Sequence, residues 1–524
     1  MAAVVIAVDS LLLERGQSTQ LSVRVEDAQG DSLQIAVTWT SANTSVVSVS
    51  PSGMATGEDT GTAVVRATAA GEQDSVAVRV HAPIADLVIA PDSLRLVPGG
   101  EYPMVVGAID ASGDTVSDLV RWRSVSPGVA TVRAGDTVVA TGAGTALLIA
   151  TAGTRADTAV VAVAPATFTY IIAGDWALKH TCAISGSANT YCWGIENSTG
   201  ALGTGAEIFG LTTPVGVRGG LQFTTVAVGD GHSCGLSVSG QAYCWGYGAS
   251  GRIGNPAAAL HNTTPVAVAG GHQFVTLTTG YYHNCALTAA GEAWCWGNNV
   301  YGQAGSANPG PLTSPTAVNT SIRFASISAA RWHTCALGVD SLAYCWGHNS
   351  TGQLGDSTTA GRSTPARVHG GLKFSAVSAG WTHVCGLTIA GVAHCWGDDM
   401  FGALGNGDSL GPTLVPAPVA GALTFTRIEA GYYITCGIVS GGAAYCWGSN
   451  ASGQLGTGDF ADASVPRPVG GGLTFEIVAP GWDYVCGITP AAIAYCWGSA
   501  VFGVLDNGAA SGTQPLPVRV TGQP

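Results

Sequence analysis

Charge is scarce in this chain: 10% of its 524 residues are Asp, Glu, Lys or Arg, and only Lys179 and Lys373 are lysine. The balance is acidic, 20 basic against 33 acidic side chains, for a net charge of −13. A nucleic-acid binder needs a dense basic footprint to displace counterions, so no nucleic-acid partner is expected, and anionic membrane surfaces are disfavoured by the same sign. Apolar runs are short, none reaching the roughly 18 residues of a spanning helix, so membrane insertion is not expected. Helical periodicity is nearly absent. Cysteine is missing from the first 181 residues. There is no phosphate loop, zinc-protease motif or paired-carboxylate constellation, so neither an enzyme nor a cofactor is expected. Asp398-Asp399 reads as an isolated acidic pair in a solvated loop.

What is abundant is glycine, 75 residues, and 46% of the chain is hydrophobic, which rules out disorder. Short alternating runs such as Leu21-Ser22-Val23-Arg24-Val25, punctuated by Gly, Pro, Asn, Asp and Ser, mark an all-β protein. The length exceeds one compact core, so several domains or a repeat array are expected.

Self-comparison finds both. Asp9-Ser10-Leu11 recurs as Asp92-Ser93-Leu94, Asp27 as Asp110, Trp39 as Trp122 and Gly61 as Gly144, always at an offset of 83. Two tandem β-sandwiches are therefore expected at 1–82 and 83–165. Val37-Thr38-Trp39-Thr40-Ser41, Ser45-Val46-Val47-Ser48-Val49 and Gly61-Thr62-Ala63 resemble the bacterial immunoglobulin-like domains of group 2, a resemblance that implies a spacer or presentation role. Asp27, Asp31, Asp110 and Asp114 read as turn formers in preference to calcium ligands.

The 14 cysteines form seven pairs with a constant spacing of ten: Cys182 with Cys192, Cys234 with Cys244, Cys285 with Cys295, Cys335 with Cys345, Cys385 with Cys395, Cys436 with Cys446 and Cys486 with Cys496. Each second cysteine is followed by Trp-Gly, and successive ones lie 50 to 52 residues apart, a period that means propeller blades. Pairing Cys285 with Cys295 in a hairpin sets His283 opposite Gly297 and Leu287 opposite Ala293. Both sulfurs then share one face, close enough for a disulfide inside each blade. Zinc would want clustered ligands, and one hairpin offers only two, so no metal is expected. Persistent disulfides imply an oxidising compartment. Met1-Ala2-Ala3-Val4-Val5 shows neither the basic start nor the cleavage site of a secretory leader, so the sequence is expected to begin at a mature terminus or at an artificial start. The expected location is extracellular or on a bacterial cell surface.

Gly380-x-x-His383, Leu387, Cys395-Trp396-Gly397 and Gly352-Gln353-Leu354-Gly355 resemble the regulator of chromosome condensation repeat, which implies a seven-bladed β-propeller over 166–524. A proline in each repeat, from Pro214 to Pro515, reads as the start of a strand. His180, His232, His283, His333 and His383 precede the first cysteine by two, with Ile434 and Tyr484 in the last blades. A structural hydrogen bond in each blade is expected there. The near-constant repeat length leaves no room for an inserted wedge, so nucleotide exchange is not expected.

Partner binding is placed on a ring of variable residues just before each first cysteine. Leu178, Asp230, Tyr281, Arg331, Trp381, Tyr432 and Trp482 stand four before it. Lys179, Gly231, Tyr282, Trp332, Thr382, Tyr433 and Asp483 stand one further on. Tyr, Trp and Arg dominate protein interfaces, so Tyr281, Tyr282, Arg331, Trp332, Trp381, Tyr432, Tyr433 and Trp482 are the candidate binding residues, expected as a contiguous and partly exposed patch. The expected function is recognition of an unidentified protein or surface glycan by a propeller head on an immunoglobulin-like stalk. An inhibitor of a secreted enzyme is a special case.

Overall fold

A computed structural model describes residues 3–116, 119–174, 179–194, 198–207, 210–409, 411–506 and 511–523. Among these the regular elements are strands and short 3-10 turns, so the chain is all-β, and no helix is long and apolar enough to cross a membrane. By its internal contacts the chain forms two compact units, one of residues 1–92, 104–125 and 147–159, the other of 93–103, 126–146 and 160–524.

In the first unit, strands Ser10–Glu14, Thr38–Ser41, Gly61–Ala69 and Glu72–His81 make a four-stranded sheet. Its alternating inward residues, among them Val65, Val76 and Val78, are fully buried with Val47 and Ala55 of the facing sheet. Asp27 and Asp110 act as turn formers. Asp27 accepts from the main chain of Gln29 and Asp31, and Asp110 from Ser112, Asp114 and Ala82.

The second unit contains the ring. Seven antiparallel sheets of four consecutive strands follow one another, blade one being Phe168–Ala173, His180–Ser185, Thr190–Gly194 and Leu211–Gly216. The first strands of successive blades pack against each other around the axis, and those of blades one and seven complete the circle. Blade one is also extended at its rim. Leu96 pairs with Val215 of its outer strand, and Ser93–Leu96 runs parallel to Val160–Val163.

Cysteine pairs sit directly opposite each other in every blade, as Cys285 and Cys295 do with His283 opposite Gly297 and Leu287 opposite Ala293. Every pair is a disulfide within its own blade. Cys182 is bonded to Cys192 in blade one, Cys234 to Cys244 in blade two and Cys285 to Cys295 in blade three. Cys335 is bonded to Cys345 in blade four and Cys385 to Cys395 in blade five. Cys436 is bonded to Cys446 in blade six and Cys486 to Cys496 in blade seven. The Cα atoms of each pair lie 4.0–4.2 Å apart, and no cysteine is free. The repeated prolines do not start strands. Pro214 and its counterparts lie within the outer strand, beside a register shift between the second cysteine and the glycine of Cys-Trp-Gly. An edge strand at a bulge is where a missing ladder donor costs least.

Tryptophan closes the gaps between blades. Each Trp of Cys-Trp-Gly is fully buried against the repeated Phe of its own blade, with ring centroids 5.5–6.2 Å apart. It also fills the preceding blade's core, as Trp396 does beside Cys335, Cys345 and Leu354. In six of the seven the indole N–H donates to a loop carbonyl of that blade, as Trp245 does to Ala201 at 2.8 Å and Trp447 to Ala403 at 3.0 Å, while the buried Trp346 N–H has no partner.

The histidines extend the same joint. His180 Nε2 lies 2.7 Å from Ser233 Oγ, His283 Nε2 2.7 Å from Thr334 Oγ1 and His383 Nε2 2.9 Å from Thr435 Oγ1, each on the next blade. Ser233, Thr334 and Thr435 donate onward to Ala201, Gln303 and Ala403 carbonyls at 2.9 Å, so the imidazole is left as donor to the hydroxyl. The hydrogen bond foreseen within each blade is thus a bond between blades. Blade five breaks the series, because Val384 stands where the hydroxyl should be and His333 has neither ring nitrogen bonded.

Blade seven departs at one turn. Gly203, Gly254, Gly305, Gly355, Gly405 and Gly456 occupy equivalent left-handed positions with φ of 64–72°. Asp506 takes this place at φ 46°, fully buried, with one carboxylate oxygen bound to Thr521 Oγ1 at 2.6 Å and the other unpaired. Burial holds this carboxyl well above the ordinary Asp value. Asp506→Gly removes both the left-handed Cβ and the buried acid. It is expected to raise stability by about 1–2 kcal/mol, read as a higher urea midpoint at unchanged slope.

Candidate functional site

Pairing His283 with Gly297 means that the chain entering the second strand and the chain leaving the third emerge at the same end of the blade. The loops at that end form the channel mouth. They are tied to one another by main-chain bonds: Asp230 N to Tyr281 O, Tyr281 N to Ala330 O, Trp381 N to Gly431 O and Tyr432 N to Gly481 O, at 3.0–3.2 Å. The approach is close enough to demand glycine, since a Cβ on Gly380 would press into the Gly431 carbonyl oxygen.

On this ring the aromatic side chains touch in series. Tyr282 and Tyr281 have centroids 4.4 Å apart, Tyr281 and Trp381 5.2 Å, Trp381 and Tyr432 4.4 Å, Tyr432 and Tyr433 4.4 Å, and Tyr432 and Trp482 5.6 Å. Tyr281 reaches Trp381 across blade four, which contributes Arg331 instead of a ring. That guanidinium lies 3.5 Å from the Trp332 centroid and 3.7 Å from that of Trp381. Lys179 stands 4.7 Å over Trp482 and pairs with Asp483 at 2.6 Å. Arg252 lies over Tyr247 and Tyr282 at 4.9 and 4.5 Å. Cations thus sit on ring faces at three points, an arrangement worth more as water is excluded.

All eight candidate residues therefore come together, but not at one depth. Tyr281 and Trp381 are only 4% and 5% exposed, which corrects the expectation that both are partly exposed. They are the floor, drawn inward by contact across blade four. Tyr282, Arg331, Trp332, Tyr432, Tyr433 and Trp482 are half-buried and form the rim. Leu178 lies outside the described residues. Burial, reinforced by Asp230, holds the Tyr281 hydroxyl well above its ordinary value, and burial raises Tyr282 and Tyr433 as well. The mouth therefore presents neutral phenols. Beneath it, a cavity of about 20 Å³ lined by Tyr281, Arg331 and Trp381 has room for about one water and is too small for an organic ligand.

Several rim residues were not foreseen. Tyr301, His348 and Phe401 extend the array through Trp332 and Tyr433, with centroids 5.1, 5.6 and 5.5 Å apart. They arrive from the loops after Cys-Trp-Gly, at positions three and six past the second cysteine. Those positions also vary between blades, and that variation was the available signal.

The bacterial Ig-like domain (group 2) family matches residues 2–80. Regulator of chromosome condensation (RCC1) repeats match residues 223–252, 274–303 and 425–454, and also 290–337, 340–387 and 441–488. The ring is an RCC1-type propeller. Human WBSCR16 gives a TM-score of 0.59 at 19% identity, over 64% of this chain and 94% of that one. Prp20p of Saccharomyces cerevisiae, whose structure was described with its binding to Gsp1p and histones, gives 0.57 at 20% identity over 63% and 85%. At such identity the likeness is one of fold. The probable E3 ubiquitin-protein ligase HERC4 of Rattus norvegicus is 32% identical over 129 residues, 24% of this chain but 12% of that protein. The mitochondrial RCC1 domain-containing protein RUG3 of Arabidopsis thaliana is 31% identical over 136 residues, 25% of this chain and 31% of that one. The chain thus spans a small part of these relatives.

Proposed function

We propose that this protein is a secreted or cell-surface recognition protein without enzymatic activity. The immunoglobulin-like modules at 1–82 and 83–165 serve as stalk, and the propeller at 166–524 is a head that binds a protein partner through its channel mouth. The observation that carries this reading is the continuous array of half-buried Trp, Tyr and Arg side chains over a closed floor. Large rings on a pre-ordered scaffold bury much area at little entropic cost. Seven disulfides among 14 cysteines support an extracellular or bacterial cell-surface location, where thiols stay oxidised. The acidic net charge supports a partner other than nucleic acid.

The test is affinity capture from the native extracellular fraction with the intact chain as bait, followed by rim variants. Trp332→Ala and Trp482→Ala are each expected to weaken the captured protein's binding by about 2 kcal/mol while leaving the melting temperature in place. Trp381→Ala should lower both, because that ring is floor. A partner held equally well by both rim variants would remove the mouth from the reading, and binding confined to a glycan array would replace the protein partner.

A further inference from the structure

Blade five differs from its neighbours in a second buried side chain. In blades three, four and six the residue four past the second cysteine is asparagine, and the three amides behave alike. Asn299, Asn349 and Asn450 accept from the main-chain N–H of Ala304, Leu354 and Leu455 at 2.8–2.9 Å. Each turns its NH2 group onto loop oxygens. Asn299 reaches the carbonyl of Ser306 at 2.9 Å, Asn349 that of Thr358 at 2.9 Å, and Asn450 that of Asp459 at 3.0 Å. In blade six the Asp459 carboxylate joins them, 3.1 Å from the same nitrogen.

Blade five has Asp399 at this position. Its Oδ1 accepts from Leu404 N at 2.9 Å, as the amides do. Its Oδ2, standing where the others carry a donor, receives none, although the residue is only 1% exposed. The solvated acidic loop expected from the sequence is therefore a buried carboxylate. Nine residues on stands Asp408, the counterpart of Asp459, and its carboxylate interacts with that of Asp399 where blade six offers an N–H. Burial, with the charges of Asp408 and Asp398 added, pushes Asp399 up to about 6. A surface cleft of about 600 Å³ lined by Asp398, Asp399, Ser409 and Asp462 gives access.

We propose that this loop binds a hard divalent cation of the calcium class, held by the carboxylates of Asp399 and Asp408 in the place of the amide nitrogen. Among the described residues no group of three or more His, Cys, Asp or Glu side chains forms a ligand set, so the remaining positions fall to main-chain carbonyls and water. Ca²⁺ accepts such mixed, irregular oxygen shells, whereas Mg²⁺ demands near-ideal octahedral geometry. The cation does for blade five what the NH2 group does for blades three, four and six.

The experiment is a calcium chloride titration of the full chain in chelator-treated buffer near neutral pH, by calorimetry and by melting curves. Wild type is expected to bind calcium saturably at one site and to melt several degrees higher with it. Asp399→Asn, which restores the neighbours' residue, should melt higher than wild type without calcium and show no response to it. Asp408→Asn should lose the response as well, while Asp340→Asn, on another blade, keeps it. A flat wild-type titration overturns the proposal and leaves a carboxyl pair sharing a proton, seen as stabilisation on mild acidification. A full calcium response in Asp399→Asn overturns it equally.

Discussion

Tyr484→Ala is expected to open the ring between blades seven and one, at a cost of about 3–5 kcal/mol. Tyr484 is fully buried and occupies the position that histidine holds in blades one to five. Its hydroxyl donates to the His180 carbonyl at 3.1 Å, accepts from Gly174 N at 2.9 Å and lies 3.0 Å from Thr181 Oγ1, all on blade one. Phenol reaches where imidazole would fall short. Tyr484→Phe keeps the buried ring and loses only the hydroxyl, so it should cost about 1 kcal/mol. Hydrogen exchange would show the difference: in the alanine variant, protection should fall in blades one and seven and persist in blade four. If both variants lose the same stability, or blade four exchanges as fast, the side chain is not a closure.

The second large effect is acid lability. Burial holds His232, His283 and His333 down to about 3 and His383 down to about 4, from an ordinary 6.5. The folded protein keeps them neutral while the unfolded chain protonates them below 6.5. Their contribution is therefore complete above that value and is lost as pH falls through the window down to about 3, by up to about 1.4 kcal/mol per pH unit for each histidine. Asp399, raised to about 6, and Asp506, also raised, act in the opposite sense, adding stability at low pH that is lost as pH rises. Four groups outweigh two, so the denaturation midpoint should fall steadily from pH about 6.5 downward. Asp506→Gly, which removes one opposing group, should steepen the fall. A midpoint that stays level to pH about 4 would mean that the histidines are protonated within the folded ring.

The parts of this fold legible in the sequence are those with a period. Two cysteines ten apart, followed by Trp-Gly, are enough to place Cys285 opposite Cys295 and to align the rest of the hairpin, because a one-residue slip would send the sulfurs to opposite faces. The same spacing puts Cys192, Cys244, Cys446 and Cys496 opposite Cys182, Cys234, Cys436 and Cys486, and the ladders hold each of these pairs in that register. The mouth residues were legible for a complementary reason: they vary while the frame around them does not. What escaped depends on neighbours that no period announces. Leu96 meets Val215 at a single ladder position over a long sequence distance. Trp381 is buried because Tyr281 reaches it from two blades away. The outward partner of each histidine, on the following blade, is read only once adjacent repeats are laid side by side in space. Asp399 is a single-letter change from its neighbours' pattern whose weight comes entirely from burial.

Each histidine relay joins residues 51 to 53 apart in the chain, whereas the Tyr484 contact with Thr181 spans 303. Six junctions can therefore form one after another as successive blades collapse onto those already made, each closing a loop of modest entropy. The seventh must wait until the last blade exists and its two distant ends meet. Contacts of such separation slow folding disproportionately, so the seam between blades seven and one sets the tempo of the whole propeller. Until it shuts, the flanks of blades one and seven are the apolar surfaces left open to other chains.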